Sequence, residues 1–171
     1  MAKARTDFSP EFEAALREHL AYEPETGILR WVKKPFRSAI VVGDEAGTPN
    51  GKGYLWIQLK HERVLAHRIA WFLYYGTWPL EIDHWDTNKA HNAIWNLRDV
   101  TRRINTENRR RPQTNSSTGL LGVTFDKSQG TFKAQIKMNG RNKHLGRFLT
   151  AETAHFAYIE VKRKLHKGCT L

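Results

Sequence analysis

Apolar positions recur at helical spacing in the opening segment FSPEFEAALREHLAY, where Phe12, Ala15, Leu16 and Leu20 fall on one face. Ser9 stands where a side chain can cap the helix start, Pro10 suits the first helical position, and Glu11 and Glu13 complement the positive end of the dipole. YEPETGILRWVKK then predicts a turn across Pro24 to Gly27 and a short strand. Gly43, Gly47, Pro49, Gly51 and Gly53 punctuate the next stretch. GYLWIQLK alternates as a strand does, and HERVLAHRI pairs back to it. HRIAWFLYYG reads as a short buried helix, with Ile69, Phe72 and Leu73 inward, Gly76 at its end and Trp78-Pro79 beyond.

After position 100 the texture changes. VTRRINTENRR has helix-compatible spacing, and RRRPQTNSSTG is basic, polar and broken by Pro112, which marks a boundary. Three strand-like runs follow, near 120–126, 131–138 and 142–148, turning at Asp126 to Gly130 and at Asn139-Gly140. Thr150 caps a last helix that faces Ala154, Ala157, Tyr158, Val161 and Leu165 inward. The expected organisation is a first domain over 1–108, a basic linker over 109–117 and a second domain over 118–171.

Composition narrows the class. At 171 residues, with 40% apolar and 11% aromatic residues, the chain can bury a core. A mean hydropathy of −0.62 and the lack of a long uncharged apolar run argue against a membrane span. The single Cys169 excludes an internal disulfide and a multi-thiolate zinc site. With no secretory leader pattern at the start, a soluble cytoplasmic protein is expected. Of the net +11, residues 1–101 contribute nothing, holding 13 Lys+Arg against 13 Asp+Glu. All the excess positive charge lies in the last 70 residues, which points to a densely negative partner, with nucleic acid first.

The chemically dense segment is EIDHWDTNKAHNAIWNLRDVTRRINTENRR. Asp83-His84 end a short apolar approach, Asn96-Leu97 open a second strand after a polar loop, and a helix beginning near Thr101 carries Asn105 and Asn108. An Asp and an Asn brought together offer hard oxygen ligands suited to Mg2+ or Mn2+ and not to zinc. His84 beside them can take a proton from water. A Lewis acid and a base are the two functions that phosphodiester cleavage needs.

The run from Tyr22 to Asn108 resembles HNH endonucleases of the phage and homing type. It carries PETGILRW, GYLWIQL, LAHRIAWFLYYGTWP, then DH, NK, a spaced NLR, VT and the trailing EN. The resemblance implies a ββα-metal nuclease module with His84 as general base and Asp83 as metal ligand. It makes Asn96 the residue that ties the loop between the strands and orients the His. Asn105 takes the third motif position, where many members carry His, and Asn108 competes with it as the second ligand to one ion. His67 and Arg68 recur in the family pattern, with a phosphate role or a packing role open. His19, His61 and His91 are expected at the surface, and the aromatics of AWFLYYGTW in the core.

Residues 118–165 resemble the plant ethylene-response (apetala-two) DNA-binding domain through LGV, the AQI strand, HLGRF, and the Thr-Ala-Glu-Thr-Ala and Ala-Tyr of the last helix. The resemblance implies a three-stranded antiparallel sheet lying in the major groove of double-stranded DNA, with one helix packed on its back. Alternation turns Phe132, Ala134 and Ile136 toward the helix and leaves Lys133, Gln135 and Lys137 on the other face. Thr124, Asp126, Asn142 and His144 share that outer face but depart from the plant pattern, so the plant sequence preference does not transfer. Arg102, Arg103, Arg109, Arg110 and Arg111 are placed to track the phosphate backbone. The combined expectation is an α+β, monomeric, phage-encoded DNA endonuclease using one divalent ion, for which nicking one strand is the simplest outcome. The rivals are a sequence-specific DNA-binding regulator with an inactive centre and an RNA- or ribosome-binding protein.

Overall fold

The computed structural model describes residues 5–36, 38–107 and 111–166. Chain contacts divide it into two units, Met1–Thr101 and Arg102–Leu171. Among the described residues, four α-helices and small antiparallel sheets make the architecture α+β.

In the first unit, α1 (Pro10–His19) begins where Ser9 Oγ accepts from the Phe12 N–H at 3.3 Å, and it buries Phe12, Ala15 and Leu16. The chain turns at Leu20 into β1 (Leu20–Glu23), which pairs antiparallel with β2 (Ile28–Trp31). A second sheet orders β3 (Thr48–Pro49), β4 (Leu55–Leu59) and β5 (Glu62–Leu65). Strand β5 passes directly into α2 (Ala66–Tyr75), so His67 and Arg68, which the sequence places in both the strand run and the helix run, lie in the first helical turn. Leu16, Ile69 and Phe72 are sealed at the centre of this core, and Trp78 stacks on Phe72 with ring centroids 4.5 Å apart. Tyr74 and Tyr75 depart from the expected core role, since each stays half exposed at the end of α2. A last hairpin pairs β6 (Ile82–His84) with β7 (Leu97–Asp99), the latter following a 3-10 turn over Ile94–Asn96.

The second unit opens with α3 (Arg102–Glu107) and then orders β8 (Val123–Asp126), β9 (Thr131–Met138) and β10 (Arg141–Phe148) as β10-β9-β8. Helix α4 (Ala151–Leu165), capped by Thr150 Oγ1 accepting from Thr153 N–H at 3.2 Å, covers one face. Val123, Ala134 and Ala154 meet there with Phe132 and Phe148 packed around them, and Ile136 and Tyr158 are buried too. A Cβ on Gly122 would fall 2.0 Å from the Tyr158 ring, so the glycine is what lets helix and sheet approach. Two inward positions on α4 differ from expectation. Leu165 is 43% exposed and Lys162 is buried at 1%. Ala154, Tyr158 and Lys162 form one i, i+4 row over the short sheet, and the lysine's alkyl stem continues it. Among the described residues no helix is long and apolar enough to cross a membrane.

Candidate active site

Strand β6 carries Asp83 and His84 in succession, and both are buried. Register with β7 sets Asp83 opposite Arg98 and His84 opposite Leu97. The Arg98 guanidinium accordingly pairs with Asp83 Oδ2 and also lies 4.5 Å above the Trp85 ring.

Asn96 is fully buried and spends its amide on the loop between the strands. Its Oδ1 accepts from the Asp86 N–H at 2.9 Å, and its Nδ2 donates to Asp86 Oδ1 at 2.9 Å and to the His91 carbonyl at 2.8 Å. Across the strand ends the Trp85 N–H donates to the Asn96 carbonyl at 2.9 Å. Asp86 Oδ2 in turn accepts from His91 Nδ1 at 2.6 Å. Burial alone would raise the Asp86 carboxyl, but the His91, Asn96 and Asn88 donors together hold it below the usual range. His91 is therefore a structural part of the loop and not the free surface residue expected, and His19 likewise bonds the Ala15 carbonyl at 3.0 Å. A histidine that looks unpatterned along the chain gains its partner only when the loop closes.

Around His84 stand three residues, Asn92 from the connecting loop and His67 and Tyr54 from more distant segments. Asn92 Oδ1 lies 3.2 Å from His84 Nε2, the His67 ring meets His84 edge-on with centroids 5.1 Å apart, and Tyr54 completes the cluster 6.0 Å away. Lys89 Nζ sits 4.8 Å over the Tyr54 ring. Burial pushes His84 below its ordinary 6.5 against the opposing pull of Asn92, Asp86 and Asp83. Burial, then His84 and Arg68, pushes His67 well below the same value. Both imidazoles are thus neutral near pH 7, each with a lone pair able to take a proton. Arg68, half of the same motif, donates to the Arg5 carbonyl at 2.7 Å and so anchors the N-terminal segment.

These shifts have a measurable consequence. A histidine held neutral by burial binds fewer protons folded than unfolded, so its unit is most stable above 6.5 and loses stability as pH falls below it. All six tryptophans lie within residues 1–101, so their emission reads the first unit alone. The tryptophan-monitored melting temperature should drop from pH 7.5 to pH 5.5. A flat profile over that range would show that these imidazoles do not stay neutral in the fold.

The remaining predicted residues fall in the second unit. Asn105 lies on α3, with Arg102 and Arg103; Arg103 pairs with Glu107 at 3.6 Å. Asn108, Arg109 and Arg110 lie outside the described residues, and Arg111 is exposed. Directly paired residues share a sheet face, which puts Lys133 with Thr124, Gln135 with His144 and Lys137 with Asn142 on the face away from α4. A bulge between His144 and Gly146 resets the alternation, so Arg147 pairs with Lys133 and joins this polar face. Simple alternation along β10 misses Arg147. Asp126, an unfavourable neighbour for a phosphate, is neutralised locally: Lys133 Nζ at 2.6 Å and Ser128 hold its carboxyl down to about 2, with Arg147 at 3.9 Å.

Residues 64–107 match a family model described as HNH endonuclease, a span that runs from β5 to α3 and contains every residue just described around His84 except Tyr54 and the N-terminal anchors. Among curated proteins and solved structures, none matches this chain.

Proposed function

We propose that the chain is a divalent-metal-dependent DNA endonuclease of the homing type that hydrolyses phosphodiester bonds in duplex DNA, nicking one strand per binding event. The observation that carries this reading is a buried imidazole, His84, that directly follows the buried Asp83 on β6 in a segment that matches HNH endonucleases. His84 takes the proton from the attacking water, and Asn96 keeps the loop closed so that the imidazole stays at the strand end.

Asp83 would be a ligand to one Mg2+ or Mn2+, and the resemblance to HNH endonucleases implies Asn105 or Asn108 as a second. The donor chemistry fits, because a carboxylate and an amide oxygen are hard ligands of the kind these ions take. A carboxylate has lone pairs on both oxygens, so the contact from Arg98 to Oδ2 leaves Asp83 chemically able to ligate. When bound, the ion supplies Lewis-acid stabilisation of the charge that builds on the scissile phosphate.

The sheet face of the second unit, similar to the apetala-two domain, would grip duplex DNA through Lys133, Gln135, Lys137, Asn142, His144 and Arg147, with Arg102, Arg103, Arg109, Arg110 and Arg111 along the backbone. If about six phosphates are neutralised, log K falls with log salt at a slope near −5. Lys137→Ala and Arg147→Ala should each weaken binding and flatten that slope by about 1, measured by anisotropy of a labelled duplex at several salt concentrations. Unchanged slopes in both variants would remove this face from the interface.

The test of the whole reading is conversion of supercoiled plasmid to the open circle with Mg2+, abolished by a chelator. A second reading has one observation behind it. The Asp83–Arg98 pair, together with Asn at the third motif position, suits a sequence-specific DNA-binding regulator with an inactive HNH centre. It predicts tight duplex binding and no cutting. Preference for structured RNA over duplex DNA at matched salt would overturn both.

A further inference from the structure

We infer that Asn92, not Asn96, is the positioning residue of His84, and that it selects the imidazole tautomer with hydrogen on Nε2 and the lone pair on Nδ1. The catalytic consequence rests on the nuclease reading; the tautomer does not.

A neutral imidazole carries one donor and one acceptor nitrogen, and an amide oxygen only accepts. Asn92 Oδ1 at 3.2 Å from Nε2 therefore places the hydrogen there and leaves Nδ1 as the basic atom. Asn96 is turned to a different task. Both of its N–H donors go to Asp86 and His91 and its Oδ1 accepts from the Asp86 N–H, so its amide is directed at the loop and not at His84.

Asn92 is itself held from outside the loop. It is 3% exposed, and its carbonyl accepts from the Tyr22 hydroxyl at 2.8 Å. Ala93 after it is sealed, and the Ile94 N–H donates to the Pro24 carbonyl at 2.9 Å. The turn between β1 and β2 thus buttresses the segment that aims His84, from about 70 residues away in sequence. The His67 ring packs edge-on against the imidazole with centroids 5.1 Å apart. That contact restricts the ring angle, and the Asn92 acceptor selects the tautomer.

Long-range 1H–15N spectra of the metal-free, 15N-labelled protein at pH 7.5 read the tautomer directly, with no substrate and no turnover. We expect His84 in the Nε2–H form in the wild type, a tautomer mixture in Asn92→Ala, and the Nε2–H form again in Asn92→Asp, whose carboxylate also accepts. In the plasmid assay kcat should fall about ten- to hundred-fold in Asn92→Ala, with KM little changed and recovery in Asn92→Asp. An Nδ1–H form in the wild type means that the amide donates to Nε2 instead and overturns the inference. So does a single unchanged tautomer in Asn92→Ala. If Asn92→Ala does not fold, the wild-type spectrum alone decides. A protein that cuts no DNA yet shows the expected spectra would sink the nuclease reading and leave the positioning intact.

Discussion

Replacing His84 with alanine should lower plasmid nicking by about 10²–10⁴ while duplex affinity stays within a few-fold of wild type. The size follows from the loss of the imidazole that acts as general base, for which water at the same place is a far weaker substitute. Affinity survives because the excess positive charge, and so the main attraction to phosphate, lies in residues 102–171. A stability cost comes with it, since truncation strands the buried Asn92 amide and opens space against His67; an unsatisfied buried polar group costs about 1–3 kcal/mol. Tryptophan-monitored melting of the variant therefore accompanies the rate, and cleavage is read well below the melting point. Undiminished cutting in folded His84→Ala would assign the chemistry to other residues. Equal, negligible cutting in both proteins favours the regulator.

Gly27→Ala should damage the same site from a distance. Gly27 has φ +80, where an L side chain is strained by about 1–2 kcal/mol, and its added Cβ would fall 2.1 Å from Ala93 N and 2.2 Å from the Asn92 carbonyl carbon. Both are backbone atoms and cannot swing aside as a side chain does, so overpacking adds about 1–3 kcal/mol. The expected result is a fall in the tryptophan-monitored melting temperature on the order of 10–20 °C, with loss of cleavage in the molecules that remain folded. Gly51→Ala is the control: φ is +71, but nothing lies within 4 Å of the new Cβ. It carries the backbone strain without the collision. Equal effects from the two substitutions would mean that the contact between the β1–β2 turn and the Asn92 segment carries no weight.

Much of the fold is legible in short stretches of sequence because the signals are local. Helix α1 announces itself through Ser9, Pro10 and the spacing of Phe12, Ala15 and Leu16, and each of these does in the structure what its chemistry suggests. The Asn139-Gly140 turn and the alternation of Phe132, Ala134 and Ile136 likewise foretell the β9–β10 hairpin and the face it buries. Asp83-His84 at a strand end is readable in the same way. The departures also have local reasons. A bulge adds one residue and has no signature in alternation, so simple alternation misses Arg147; on α4, Lys162 continues the buried row of Ala154 and Tyr158, and Leu165 lies off it.

The identity of the chemical groups, their order along the chain and the segregation of charge toward the second unit are properties of covalent sequence, set before any folding. Which asparagine touches the imidazole is not. Asn92 and Asn96 are equivalent by composition and nearly so by position. One faces His84 and the other faces Asp86 only because Tyr22, Pro24 and Gly27 press on the loop from another hairpin. Contacts between segments some 70 residues apart depend on how two surfaces meet, and periodicity within either segment carries no record of that meeting.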